Sequence, residues 1–260
     1  MDLGIAGKQA LLIGASGGLG AACADRLAEA GCRLHLVARR PDRLSAFAAE
    51  LAQRHGTTVG TSAGNLTDPE ARSRIVRDCP DPDILIISGA WPERAVNPTA
   101  WTMADWQVAV DAMLLPAIDF VARIYPGMVT RKFGRIVVIT SRMIKDPELD
   151  LAMPAAARLG LTGYLKALSR EIAASGVTVN TLLPGAFGTD TQNQHIAEMA
   201  GASGRSEAAV IADRTRQIPA GRLGKPHEFS SLCAYLCSAE AGFLTGQALV
   251  MDGGTHTGIW

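Results

Sequence analysis

The sequence predicts an α/β fold: one doubly wound parallel sheet with helices on both faces, spanning residues 1–260 as a single domain. Three observations carry that prediction. Short apolar, β-rich runs alternate with longer helical patterns from one end of the chain to the other, the order that builds a parallel sheet covered by helices. The strand runs are almost continuously apolar, as required where both faces of a sheet are buried. No internal repeat, linker or low-complexity stretch divides the pattern.

Taken in order, residues 9–14 read as a strand, 18–30 as a helix closed by Gly31, and 33–38 as a second strand. A helix over 43–54, a short strand over 58–63, a helix over 69–78 and a fourth strand over 83–88 follow. Residues 102–130 form a long helical region that Pro116 or Pro126 should break, because proline removes a helical N–H and clashes with the preceding turn. A strand over 135–140, a helix over 154–174, a strand over 177–183, a helix over 226–238 and a last strand over 247–251 complete the series. The stretch 188–220 is polar, glycine-containing and irregular in pattern. Ligands of open α/β sheets lie beyond the carboxyl ends of the strands, so this insertion is expected to be a flap over that crevice.

The composition narrows the function classes. With 48% hydrophobic and 19% charged residues the chain is too apolar for disorder. Equal numbers of basic and acidic side chains, 25 of each, give no electrostatic footprint for nucleic acid or an anionic membrane. The first residues lack the pattern of a signal peptide, and no apolar run approaches a membrane span. Cys23, Cys32, Cys79, Cys233 and Cys237 are odd in number and form no Cys-x-x-Cys, which fits a reducing cytoplasm. Cys233 and Cys237, at i,i+4 spacing, read as one packed helix face.

Gly14-Ala15-Ser16-Gly17-Gly18-Leu19-Gly20 follows the first strand directly and opens a helix. Glycines spaced this way allow a tight turn, close approach of a diphosphate to the backbone and close helix–sheet packing. The helix N-terminus then offers free N–H groups and a partial positive charge to the anion. About twenty residues on, where an NAD-binding protein places an acid for the ribose hydroxyls, stand Arg39 and Arg40. An arginine bonds a 2′-phosphate that an acid would repel, so NADP is expected rather than NAD, with Arg39 the main contact.

Together these features resemble the short-chain dehydrogenase/reductase family, especially its bacterial 3-oxoacyl acyl-carrier-protein reductase branch. Besides the glycine turn, the resemblance rests on Asn65-Leu66 after the third strand, Pro184-Gly185 with Thr189, Gly221-Arg222-Leu223-Gly224-Lys225-Pro226, Leu244-Thr245-Gly246-Gln247 and Met251-Asp252-Gly253-Gly254. It covers nearly the whole chain. It implies a Rossmann-type sheet of about seven strands, a homo-oligomer (tetramer or dimer) and a small-molecule substrate. It further implies a nucleotide site made of Gly14, Ser16, Gly18, Leu19, Gly20, Asn65, Leu66, Ser88, Gly89, Arg158, Pro184, Gly185, Phe187 and Thr189.

The departures fall on the catalytic residues. The family's Asn-Asn-Ala-Gly is here Ile87-Ser88-Gly89-Ala90, and the asparagine of the following helix falls on Met113. The catalytic serine is kept as Ser141. Pro154 occupies the tyrosine position and Arg158 the lysine position. None of the three tyrosines, Tyr125, Tyr164 and Tyr235, begins a Tyr-x-x-x-Lys, and Tyr164, despite Lys166 nearby, reads as a packing residue. Pro154 has no side-chain donor, and a guanidinium at position 158 can hold a ribose but is poorly suited to giving up a proton. Lys145 or Asp146, in the ionisable stretch after Ser141, is the expected substitute if folded inward. Trp91-Pro92 is expected to wall the substrate crevice. Three readings stay open: an NADP-dependent oxidoreductase of a small or medium carbonyl or alcohol with Ser141 and Arg158 in its site, a non-redox lyase, dehydratase or retro-aldol enzyme on the same fold, and an inactive NADP(H)-binding protein.

Overall fold

The structure, a computed structural model, describes residues 2–89 and 100–259. Its seven strands are β1 (Gln9–Ile13), β2 (Arg33–Ala38), β3 (Val59–Ala63), β4 (Ile84–Ser88), β5 (Gly134–Ile139), β6 (Val177–Pro184) and β7 (Ala248–Met251). They form one parallel sheet in the order β3-β2-β1-β4-β5-β6-β7. The order reverses direction between β1 and β4, and the crevice that receives ligands in such sheets opens there.

The helices among the described residues are α1 (Gly18–Glu29), α2 (Pro41–His55), α3 (Pro69–Asp78), α4 (Met103–Met113), α5 (Leu115–Arg131), α6 (Ala152–Ile172), α7 (Asp190–Ser203), α8 (Glu207–Arg216) and α9 (Pro226–Cys237). Alternate strand residues feed two separate cores. Ala10, Leu12, Leu34 and Leu36 pack under α1, α2 and α9, whereas Leu11, Ile13, Leu85 and Ile87 pack under α3, α5 and α6. Period-2 side chains with both faces apolar explain why β1, β4 and β5 read as nearly continuous hydrophobic runs.

Three expectations change. The long helical region over 102–130 is two helices that break at Leu114, just before Pro116, while Pro126 is carried inside α5. The helix expected to start at Pro154 starts at Ala152, so the proline is its third residue. It still lies in the first turn, where backbone N–H groups have no intrahelical acceptor. The stretch expected to be irregular holds α7 and α8, each opened by a hydroxyl cap: Thr189 accepts from the Gln192 N–H and Ser206 from the Ala209 N–H. A small core of Ile196, Ala200 and Val210, with Leu223, joins them. Trp91-Pro92 lies outside the described residues.

All five cysteines are buried and unpaired in disulfides. Cys233 and Cys237 on α9 do share a packed face, against Cys23 of α1. Burial pushes the Cys32 thiol up to about 12 and the Cys79 thiol to about 11.

One buried polar chain ties β2, β3 and α3. The Ser62 hydroxyl donates to Asp78 at 2.6 Å, so at 2.8 Å it accepts from His35 Nε2–H. His35 is 8% exposed, and burial lowers its pKa despite the opposing pull of Asp78. The unfolded chain therefore binds more protons at this residue just below its ordinary pKa of about 6.5. Its contribution to stability is present above that pH and is lost as pH falls. Urea unfolding between pH 5 and 8 should show that decline, and His35→Gln should flatten it.

Candidate functional site

The glycine turn sits where β1, β4 and α1 converge. A Cβ on Gly14, whose φ is +81°, would stand 2.2 Å from the Ser88 carbonyl oxygen, and one on Gly20 would stand 2.3 Å from the Gly14 carbonyl oxygen. Only glycine permits both approaches. Gly17 caps α1 with no side-chain hydrogen bond, and no acidic residue lies in the first turn. The positive end of this helix is thus left open to an outside anion. Leu19 turns back onto the first core while Ser16 and Gly18 are half-buried. A diphosphate fits this cradle on the chain's own geometry.

Arg39 and Arg40 are exposed beyond the carboxyl end of β2, and Arg40 precedes Pro41 at the start of α2. Of the pair after β3, Asn65 is exposed and its side chain accepts from the Thr67 N–H at 3.2 Å, while Leu66 packs on the second core. Ser88 and Gly89 end β4 directly beside Gly14. After β6, the Gly185 N–H donates to the Met251 carbonyl at 2.8 Å. Buried Phe187 stacks edge-on against Phe229 of α9 at 5.4 Å between centroids. Thr189 opens α7 and lies about 4.0 Å from where a Gly18 side chain would begin. The segments after β1, β4 and β6 therefore meet around one crevice.

On its other side, Ser141 follows β5 and is 5% exposed. Its Oγ accepts from the Met143 N–H at 3.2 Å, capping a short 3-10 turn over Arg142–Ile144. With that acceptor role filled by the backbone, the hydroxyl hydrogen is free to be donated. The turn packs on α6, whose Pro154 and Arg158, one helical turn apart, are both buried. Burial lowers the Arg158 guanidinium to about 10, so it is still cationic at neutral pH. Met113, at the asparagine position, is buried. Tyr164 packs on the second core, and the Lys166 ammonium donates to the Gly246 carbonyl at 2.9 Å, so both serve packing and chain closure.

Of the two expected substitutes, Lys145 and Asp146, the second has a defined partner. Its carboxylate lies 2.5 Å from Nδ1 of His256. Sequence reasoning missed this histidine, since 110 residues separate the pair and no local spacing points to it. The backbone N–H of His256 is in turn held by Asp252 at 2.7 Å.

The family pattern described as enoyl-(acyl carrier protein) reductase matches residues 14–256. Acetoacetyl-CoA reductase of Cupriavidus necator is 32% identical over 253 residues, covering 96% of this chain and 98% of the relative. The 3-oxoacyl-[acyl-carrier-protein] reductase FabG of Vibrio cholerae is 31% identical over 258 residues, covering 98% of this chain and 99% of its own length. Among solved structures, L-sorbose reductase from Gluconobacter frateurii complexed with NADPH and L-sorbose superposes with a TM-score of 0.94 at 26% identity, covering 100% of both chains.

Gly20→Ala should force β1 and α1 apart, at a cost of about 3 kcal/mol, the upper end for overpacking. Thermal melting should reveal the loss, and calorimetry should find nucleotide binding weakened with it.

Proposed function

Because the chain belongs to the short-chain dehydrogenase/reductase family, we propose that it is an NADP-dependent oxidoreductase acting on a small or medium carbonyl compound or the matching alcohol. One observation carries the reading. The Cβ-free cradle of Gly14 and Gly20 opens onto an α1 N-terminus that has no side-chain cap and no acid in its first turn. The NADPH held by the L-sorbose reductase and the NADPH dependence of a reductase of bacilysin biosynthesis support the same cofactor.

In this reading the N–H groups of Gly18, Leu19 and Gly20, with Ser16, hold the diphosphate. Arg39, helped by Arg40, takes the 2′-phosphate. Asn65 and Leu66 meet the adenine, Ser88, Gly89 and Arg158 hold the ribose hydroxyls, and Pro184, Gly185, Phe187 and Thr189 receive the carboxamide. The bound nicotinamide supplies or accepts a hydride. Ser141 donates its free hydroxyl hydrogen to the substrate oxygen, strengthening as charge grows there. The buried cation of Arg158 holds the neighbouring hydroxyls but keeps its own proton. The α7–α8 pair acts as the flap over the crevice. Exposed apolar side chains on the neighbouring helices α4, α5 and α6, Met103, Val108, Leu115 and Leu159, support self-association, as a dimer or tetramer.

Pro154 at the tyrosine position favours a second reading: non-redox chemistry, or nucleotide sensing without turnover. Calorimetry with NADPH and NADH, followed by absorbance at the nicotinamide band with a carbonyl panel that includes acetoacetyl-CoA and L-sorbose, separates the two. The expected result is tight NADPH binding with substrate-dependent oxidation. Binding without turnover would favour the second reading.

Arg39→Ala should weaken NADPH about 10- to 100-fold, the worth of a charge-assisted contact, and leave NADH unchanged in the same titration. Ser141→Ala should lower kcat on the order of 10²-fold at unchanged NADPH affinity, as steady-state rates beside calorimetry would show.

A further inference from the structure

We propose that His256, positioned by Asp146, transfers the proton that the family's tyrosine would have transferred, an assignment that rests on the oxidoreductase reading above. The site needs such a group, because Pro154 has no donor and Arg158 does not release its proton near neutral pH. The strand order points to where it can come from. β5 and β7 flank β6, and all three end on the same side of the sheet. The segment leaving β5 begins at Ser141 and carries Asp146. The segment leaving β7 begins at Asp252 and carries His256. Their 2.5 Å contact joins the segments that leave the two strands flanking β6, and Asp146 follows directly on the turn that Ser141 caps.

Both partners are fixed from behind. The Asp146 N–H donates to the Arg142 carbonyl in the turn that Ser141 caps. Asp252 accepts from the N–H groups of Gly254 and His256, and Thr255 donates to its carbonyl. With Nδ1–H directed to the Asp146 carboxylate, the ring presents Nε2. Among the described residues that atom is buried and has no hydrogen-bond partner, a condition that calls for a reason. A substrate oxygen is the partner that fits. The tail backbone covers the atom, since a methyl on Gly258 would stand 2.7 Å from it. That turn yields to admit substrate, and the side chain of Ile259 beyond it, 86% exposed, does not anchor it.

In the reducing direction, the carbonyl carbon gains a hydride with its electron pair from the reduced nicotinamide nucleotide. The C=O π pair becomes a lone pair on oxygen, and the Nε2 proton of the imidazolium moves to that oxygen. A neutral imidazole remains, its Nδ1–H still on Asp146, and water restores the Nε2 proton. His256 is then a catalytic residue and Asp146 a positioning residue that fixes its tautomer and ring orientation. The other charged groups on these two segments are Lys145, Asp150, Asp252 and the Arg142–Glu148 ion pair at 3.2 Å, and α6 beside them carries Arg158 in its first turns and Lys166, Arg170 and Glu171 further along.

The first measurement needs no substrate: nitrogen chemical shifts in histidine-labelled protein, with the His256 signals identified by their loss in His256→Gln. We expect the Nδ1 that faces Asp146 to carry a proton, and the balance between the two ring nitrogens to change in Asp146→Asn. With NADPH and a reducible carbonyl, His256→Gln should lower kcat by about 10²–10⁴-fold, with NADPH affinity and melting temperature unchanged. Asp146→Asn should also lower kcat at unchanged NADPH affinity. Wild-type turnover in His256→Gln would overturn the assignment while the oxidoreductase reading stands. A His256 tautomer indifferent to Asp146→Asn would do the same, as would a joint fall of NADPH affinity and melting temperature, which marks a structural clasp. If the wild-type protein oxidises NADPH with none of the carbonyls tried, the oxidoreductase reading fails and this assignment fails with it.

Discussion

Three stretches of backbone meet near Gly14 with no side chain between them, and the rest of the site is placed by that meeting. The Ser88 carbonyl occupies the space a Cβ on Gly14 would fill, and the Gly14 carbonyl occupies the space beside Gly20. β1 and β4 are joined there although α1, β2, α2, β3 and α3 separate them in sequence. The contact brings the first turn of α1 to the point where the strand order reverses, and that turn carries the helix's uncompensated positive end. Any side chain wedged in would displace the anion cradle and the end of β4 together.

The fold was legible because burial on both sheet faces writes each strand as an apolar run. The α7–α8 pair was not legible by that route. Of its residues only a few, such as Ile196, Ala200 and Val210, are buried, so neither helix carries a broad apolar stripe. The signal was in the caps: Thr189, Ser206 and the left-handed Gly204 mark the helix ends. The nucleotide cradle could be read because its glycines are local. The Asp146–His256 pair could not, since parallel strands bring together chain segments that share no spacing.

The three positions that depart from the family's catalytic set are not left vacant in the packing. Met113 is buried in α4, Pro154 is buried in the first turn of α6, and Arg158 keeps its charge in a buried setting. Pro154 fits there because an N–H in that turn has no acceptor to lose. The residues at the phenol and ammonium positions are thus packed into the scaffold. What changes is which residues near the carboxyl ends of β5 and β7 are available to handle a proton.

The placement of the thiols has a practical consequence. Cys23, Cys32, Cys233 and Cys237 belong to the core under α1, α2 and α9, whereas Cys79 belongs to the core under α3, α5 and α6. Each helical layer therefore carries its own built-in label site, hidden from alkylating reagents in the closed state. Labelling resolved by mass spectrometry would register the opening of one face of the sheet separately from the other, with no residue introduced for the purpose.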